Sequence, residues 1–475
     1  MNENGAQAAS GNNLPRIIFL SAVAALGGFL FGFDSGVING AVQALQQAFG
    51  SDAAGTGFNV ASMLLGCAAG AFFAGTLADR YGRKQVLIVA AAAFVLSAWG
   101  SGISNGSLEF VMYRILGGLA VGAASIISPA YIGEIAPANI RGRLISLQQL
   151  AIVLGLFLAF FSNYTLANLS GGASELLWWE FSTWRWMFWM EIIPASLFFI
   201  LLLFIPESPR FLVAANKPLQ ALKVLSGITN AITAKKQVAE IKLTVIRERK
   251  PRLSDIFNSK TGKVHPIIWV GIAIASLQQF TGINVVFYYG SVLWQAAGFT
   301  EADALLTNVI SGGVNIAFTL VAISLVDRVG RKPLLMIGAL GQAVMLGILA
   351  IIFSTSATEA GTGIEMGGQS GLLALLAANG YIAFFAFTWG PIMWVMLGEM
   401  FSNKFRGAAL AIAGLTQWGS NFLITITFPI LLASVGLGIS YGIYASFGVL
   451  AFFIVKRLVK ETKGRTLEEI SLDQE

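Results

Sequence analysis

Asp79-Arg80-Tyr81-Gly82-Arg83-Lys84 returns later in the chain as Asp327-Arg328-Val329-Gly330-Arg331-Lys332. Each copy is a short charged turn between two long apolar runs. A second pair follows the same logic. Gly133-Glu134 runs seven residues on to Arg141-Gly142, and Gly398-Glu399 runs seven residues on to Arg406-Gly407. Both recurrences are separated by roughly half the chain, which points to a membrane protein built from two similar halves.

Composition supports that reading. Of the 475 residues, 56% are hydrophobic and only 11% are charged, against about 25% charged in a soluble domain. The apolar runs are each near the ~20 residues that cross a bilayer as helix. Hydrocarbon cannot hydrogen-bond a backbone, so the crossings must be helices or a closed barrel. Continuous runs, rather than ten-residue alternations, favour helices. Twelve spans are predicted, near 15–37, 57–78, 86–104, 109–131, 144–168, 184–205, 266–294, 304–325, 333–354, 371–398, 407–433 and 436–457. The expected fold is an all-α membrane protein with two six-helix bundles, 14–205 and 266–458. Between them, 206–265 mixes Lys, Arg and Glu with apolar residues such as Val238, Ile241 and Val245 at helical spacing. It reads as short amphipathic helices, either a solvated linker or a regulatory surface. Residues 1–13 are small and polar and read as a disordered tail, and 459–475 form a second tail. The first apolar run continues into the fold, so no cleaved signal peptide is expected.

The net charge of +6 does not indicate nucleic acid, because the basic residues sit in short loops on one side of the spans. The loops at 79–84, 141–143, 206–265, 327–333 and 403–406 and the C-terminal tail share that side, which identifies it as cytoplasmic together with both termini. The opposite loops carry Asp52, Glu109, Glu175, Glu180, Glu301, Asp303, Glu359 and Glu365. A Gly- and Ser-rich loop at 355–370 also lies there. The one cysteine, Cys67, sits in an apolar helix where packing is the expected role. The one histidine, His265, lies at a cytoplasmic helix boundary and reads as solvated. No metal cluster, nucleophile–base set or phosphate loop is visible. Neither an enzyme nor a cofactor is expected.

Asp34, Arg114 and Glu191 fall inside predicted spans, where an acid or a base costs at least ~2.5 kcal/mol. Asp34 lies eighteen residues past Arg16 and Arg114 twenty residues before Glu134, about 27 and 30 Å from the cytoplasmic boundary by helical rise. Glu191 lies six residues after Arg185, at the outer end of its span. An acid and a base at matching depth can pair. The pair is either a structural lock between spans one and four or part of a proton relay.

A second polar set carries no charge. It comprises Gln149 in span five, Gln278, Gln279 and Asn284 in span seven with Tyr288 and Tyr289 beyond, and Asn315 in span eight. Trp394 follows Gly390-Pro391 in span ten, and Gln417, Trp418 and Asn421 lie in span eleven. Carboxamides donate and accept hydrogen bonds, as sugar hydroxyls do. An indole suits the C–H face of a pyranose, whereas an anionic substrate would call for Arg or Lys. Each amide could instead be glue between helices. Their concentration in spans five, seven and eleven favours a cavity. Gly390-Pro391 should weaken span ten. The cytoplasmic charges Asp79, Arg83, Glu134 and Arg141, and their repeats Asp327, Arg331, Glu399 and Arg406, can form one network in each half that biases a two-state equilibrium.

Taken together, Gly75-Thr-Leu-Ala-Asp79-Arg-Tyr-Gly-Arg-Lys84, Pro206-Glu-Ser-Pro-Arg210, Gln278-Gln-Phe-Thr-Gly-Ile-Asn284, Trp389-Gly-Pro-Ile-Met-Trp394 and Glu461-Thr-Lys-Gly-Arg465 resemble the sugar porter family of the major facilitator superfamily. The resemblance covers essentially the whole chain after the N-terminal tail. It implies two bundles working by alternating access around one monosaccharide site. Gln149, Gln278, Gln279, Asn284, Asn315, Trp394, Gln417 and Trp418 resemble the family's sugar-binding residues. Phe31, Tyr289, Phe385 and Gly390 match further cavity-lining positions. Glu207 matches a contributor to the family's cytoplasmic latch. Asp34 and Glu191 match acidic positions of bacterial proton-coupled xylose and hexose symporters. Leu156 stands where the xylose type has a second glutamine, which points to a hexose such as glucose. Lys460 stands where the family usually has proline. The expected partners are therefore a monosaccharide, a proton and membrane lipid. No nucleic acid is expected, and one chain is expected to suffice as a monomer in a bacterial inner membrane.

Overall fold

In hydrocarbon a long apolar segment folds as helix because each backbone N–H then finds its carbonyl within the segment. The computed structural model describes residues 13–137, 140–247, 253–257, 262–356, 368–402 and 405–463. Most of the two expected tails, and 357–367 of the expected outer loop, lie outside the described residues. Among the described residues, eleven helices are long and apolar enough to cross a membrane. The last of them, Arg406–Leu458, contains two crossings, because the backbone leaves the helix at Gly436 (φ 75°, ψ 179°).

The fold is thus all-α with twelve spans. Spans one to six are Leu14–Phe49, Ala53–Tyr81, Arg83–Ile103, Ser107–Ile135, Arg141–Ser170 and Thr183–Phe204. Spans seven to ten are Pro266–Ala296, Glu301–Val329, Arg331–Thr355 and Gln369–Met400. Spans eleven and twelve are 406–435 and 437–458. Between spans six and seven come the short helices Pro209–Ala214, Pro218–Ser226 and Ala231–Arg247. Val238 and Ile241 pack on a small core of Leu212, Val213 and Ala221, the face that their spacing predicts.

Four spans differ from their sequence reading. Span one runs to Phe49 rather than 37 and stops at Gly50 in the left-handed region. Ala, Gln and Leu keep the helix going after hydropathy fades. Span six is broken between Trp189 and Ile192, with Glu191 at the break. Span seven is broken at Thr281–Gly282, and Gly282 has φ +86°, a conformation that favours glycine. Span ten contains a π-helical turn, Phe385–Trp389, followed by the helix Gly390–Met400 with its proline in the first turn. The weak point at Gly390-Pro391 is therefore a widened turn, not a kink. Pro391 lacks the N–H that an α-helical continuation would need.

The spans cross where side chains are missing. Gly32 of span one faces the Ile152 carbonyl of span five, and Gly155 of span five faces the Phe29 carbonyl of span one. Gly66 and Gly118 do the same for spans two and four, against the Ile115 and Met63 carbonyls. Backbones in such close contact gain van der Waals packing, the main attraction left between helices in lipid. Large apolar side chains on spans three and six, such as Val89, Leu96, Ile193 and Phe204, stay exposed. In hydrocarbon that exposure costs nothing.

Candidate functional site

The two halves are tied together at the face opposite the termini. The Asn39 carboxamide of span one donates to the Phe287 carbonyl (2.8 Å) and accepts from the Ser291 N–H (3.1 Å) and from Asn308 Nδ2 (2.8 Å). The Ser291 hydroxyl also donates to the Asn39 carbonyl. At the same face Glu301 accepts from the Ala173 N–H at 2.8 Å. Deeper, Phe157 and Phe160 of span five close on Gly312 of span eight, and Phe31 packs on Trp418 with ring centroids 5.7 Å apart. The molecule is closed at this face.

Below that seal lie the uncharged residues. Gln278 and Gln279 are buried at the break in span seven. Gln278 Nε2 donates to the Trp389 carbonyl of the π-helical turn at 2.9 Å, where widened winding frees a backbone acceptor. Gln279 donates to Gln278 Oε1 at 3.0 Å and accepts from Asn284. Tyr381 of span ten donates to the Thr281 carbonyl at 2.8 Å, satisfying the broken backbone. Tyr289 donates to the Thr425 carbonyl (3.0 Å), and Asn421 donates to the Tyr288 oxygen (3.3 Å). In this conformation Gln278, Tyr289 and Asn421 therefore join helices.

Gln149, Asn315 and Gln417 behave differently. Gln149 is half-buried and the other two are buried. Among the described residues no protein group hydrogen-bonds their amides, and Gln417 Oε1 is fully enclosed. Buried amides without partners are costly, and Asn315 and Gln417 are such groups, with the half-buried Gln149 beside them in kind. Trp394 is 40% exposed, although it lies on a span. Phe385 rests against Gly390, where an added Cβ would stand 3.2 Å from the ring.

The charged set lies within the first half. Asp34 and Arg114 are each 1% exposed and form an ion pair through Asp34 Oδ1 and Arg114 Nη1. Arg114 Nη2 donates to Met63 Sδ at 2.9 Å. The Phe188 ring centre lies 5.7 Å from the guanidinium carbon, within cation–π range. Glu191 is buried nearby without an ion pair to Arg114. Arg185 lies over Trp184 and donates to the Gly102 and Ser104 carbonyls, which explains a base among acidic loops.

At the basic face, Arg83 bridges Asp79 (3.2 Å) and Glu134 (3.1 Å). Glu207 accepts from the first N–H groups of span three, Arg83 at 3.0 Å and Lys84 at 3.2 Å, and Ser208 donates to Glu134. The second half repeats this. Arg331 pairs with Glu399 at 2.9 Å, Glu461 accepts from the Arg331 and Lys332 N–H groups (3.1 and 3.0 Å), and Thr462 donates to Glu399 at 2.6 Å. The guanidinium of Arg141 turns to the Ala136 carbonyl (3.4 Å) and that of Arg406 to the Phe401 carbonyl (3.1 Å). The side chain of Asp327 lies outside the described residues. Sequence reasoning missed Glu461 and Thr462 as members of the network. Their signal was present, since Glu461-Thr462 repeats Glu207-Ser208. Asn39, Met63 and Phe188 carried no comparable signal.

Two bundles closed at one face over a cavity of unfilled amides define a transporter that exposes a central site to one side at a time. The family described as Sugar (and other) transporter matches residues 20–473, and the chain belongs to it. It is 50% identical to the Glucose transport protein of Synechocystis sp. over 99% of this chain and 100% of that one. It is 40% identical to the D-xylose-proton symporter of Escherichia coli over 96% of each. Among solved structures, it matches the inward open conformation of the xylose transporter XylE from E. coli with a TM-score of 0.82, at 39% identity, over 97% of this chain and 100% of that one. It matches XylE bound to 6-bromo-6-deoxy-D-glucose with a TM-score of 0.77, at 39% identity, over 98% of this chain and 100% of that one. The protein is a multi-pass membrane sugar transporter and not an enzyme.

Asn39→Ala should remove three of the bonds that hold the closed face shut. At about 1 kcal/mol per bond, the population open to the outside should rise roughly tenfold or more. A cysteine introduced at Val60, buried at 3%, should then react correspondingly faster with an impermeant maleimide added outside. An unchanged rate would show that the seal does not hold the conformation.

Burial pushes the Glu461 carboxyl up, but the N–H groups of Lys463, Arg331, Lys332 and Thr462 outweigh it and hold the group below its ordinary value of 4.5. A depressed value stabilises the fold above the ordinary pKa, and the benefit is lost as pH falls through the folded one. Glu461→Gln should therefore melt below the wild type near neutral pH. The gap should close as the pH is taken below 4.5, as thermal melts in detergent would record.

Proposed function

We propose that this protein imports a hexose such as glucose together with a proton, by alternating access, across a bacterial inner membrane. The observation that carries the reading is the Asp34–Arg114 pair, each residue 1% exposed, inside a transporter whose amides Gln149, Asn315 and Gln417 are unpartnered among the described residues. A carboxylate that deep is a candidate proton site. Protonation would remove its charge and release Arg114, so proton binding and conformation would be linked. The D-xylose-proton symporter relative is named for such coupling, and the 50% identical relative for glucose.

In this account 14–205 and 266–458 rock about the cavity, and 206–265 is a cytoplasmic linker. The basic loops place that face and both termini in the cytoplasm. Gln149, Gln279, Asn284, Asn315 and Gln417 bind hydroxyls, and Trp394 and Trp418 cover the sugar's apolar face. The charge networks hold the basic face in alternate states. A single chain carries the whole cycle. The second reading is facilitated diffusion, with Asp34–Arg114 as a structural lock. Its support is the burial of the pair, each residue 1% exposed and joined directly to the other.

Proteoliposomes under an imposed inward proton gradient separate the two. A symporter accumulates sugar, whereas a facilitator only equilibrates it. Asp34→Asn should abolish accumulation and spare counterflow exchange. Undiminished accumulation in that variant would remove Asp34 from the mechanism. Trp394→Ala and Gln279→Ala should each weaken sugar affinity about tenfold, the value of one or two lost contacts. Unchanged affinity in both would relocate the site.

A further inference from the structure

The geometry points to Met63 as a positioning residue for the proton site, one that keeps Arg114 in single contact with Asp34. This rests on the proton-coupled reading above. Arg114 has two terminal nitrogens. Nη1 serves Asp34 Oδ1, and Nη2 is turned away to Met63 Sδ at 2.9 Å. Asp34 Oδ2 is fully enclosed and has no hydrogen-bond partner, and neither has Arg114 Nε. Oδ2 lies towards Gly117, where an added Cβ would stand 3.4 Å away.

A guanidinium facing a carboxylate ordinarily closes a two-bond fork, stronger than one bond. Here the fork is left open. The thioether is a weak acceptor, but it is buried at 3% exposure and fixed on span two. It holds Nη2 well enough to leave one carboxylate oxygen for a proton. A stronger acceptor than sulfur is not needed, because the alternative is a fork that would resist protonation.

The neighbours that could titrate or carry charge are few. Arg114 of span four faces Asp34, Glu191 is contributed by span six, Cys67 by span two, and Tyr288 by span seven across the half boundary. Span five presents Asn163, which donates to the Gly36 and Val37 carbonyls and does not titrate. Met63, Arg114, Ser35 and Tyr288 line one narrow crevice between the halves. The sulfur contact therefore sits where movement of one half against the other reaches the pair.

The test is the pH profile of sugar accumulation in proteoliposomes, with counterflow exchange as the measure of folded protein. Met63→Leu keeps the shape and deletes the acceptor, freeing Nη2 to take Oδ2. Proton loading then needs more acid, and half-maximal accumulation should move to lower pH by about one unit, the size of a modest change in pairing. Exchange should continue. Met63→Gln restores an acceptor and should not show the acid shift. If Met63→Leu fails to reach the vesicles, Met63→Ala deletes the same acceptor and is read the same way. A Leu profile superimposed on the wild type overturns the assignment, as do equal shifts in the Leu and Gln variants. If the wild type accumulates no sugar under any proton gradient, it is the coupled reading itself that falls. Accumulation by the wild type with an unmoved Leu profile removes Met63 alone.

Discussion

Much of the first half is arranged around one dry ion pair. A charge alone in such a site would cost several kcal/mol, so Asp34 and Arg114 must meet, and spans one and four must cross where they can. The surrounding sequence accommodates that crossing. Gly117 leaves room beside Asp34. Ser97 turns its hydroxyl to the Tyr113 carbonyl and not to the acid. Phe188 lies over the guanidinium. Spans one and five, and spans two and four, approach through glycines, so the pair is enclosed between closely packed helices. Glu191 enters the same region because span six breaks there.

The charges at the basic face obey different physics. There the side chains are only partly buried, Arg83 and Glu134 at 13% and 12% exposure, whereas a fully exposed contact contributes about 0–1 kcal/mol. What gives these groups leverage is repetition within each half. An acid caps the first turn of span three or span nine, a hydroxyl next to it donates to a second acid, and an arginine joins both. Each network is assembled inside its own half. The bonds that join the halves gather instead at the opposite face, around Asn39 and Glu301. A transporter must be able to exchange one closed end for the other. The same face also packs apolar side chains across the boundary, Phe160 on Phe287 and Phe31 on Trp418, so the polar contacts are laid over an apolar interface.

Much of this was legible in the sequence because hydropathy and charge act over whole segments. Twelve apolar runs fold as twelve spans, and the repeated Asp-Arg-x-Gly-Arg turns fall between the spans as predicted. Asp34 and Arg114 could be matched in depth by counting residues along two helices. What was not legible depends on local backbone and on contacts between distant spans. Gly282 reads like any glycine until the chain turns left-handed there. The π-helical turn before Gly390 is set by packing against Gln278 and Gly338. Amide chemistry alone could not separate Gln278, which is bound to backbone, from Gln417, which retains an open acceptor. Met63 was invisible because methionine in an apolar helix is ordinarily core.

The proposed sugar site and the proposed proton site are close in the chain. Phe31, packed on Trp418, and Asp34, paired with Arg114, are one helical turn apart on span one. Five residues further on, Asn39 grips spans seven and eight. A single rigid helix therefore touches the cavity, the pair and the outer seal. Span seven touches the same three regions in the same order, with Gln279 at the cavity, Tyr288 at the crevice beside Arg114, and Ser291 at the seal. Energetic coupling requires an element with two discrete arrangements that both ligands bias. The boundary of spans one and seven is placed to serve as such an element. A helix kept straight by its backbone cannot open the seal without moving Phe31 and Asp34, and the break at Gly282 gives span seven the freedom to follow. On the coupled reading, the sugar and the proton need not touch each other, since each acts on the position of the same two helices.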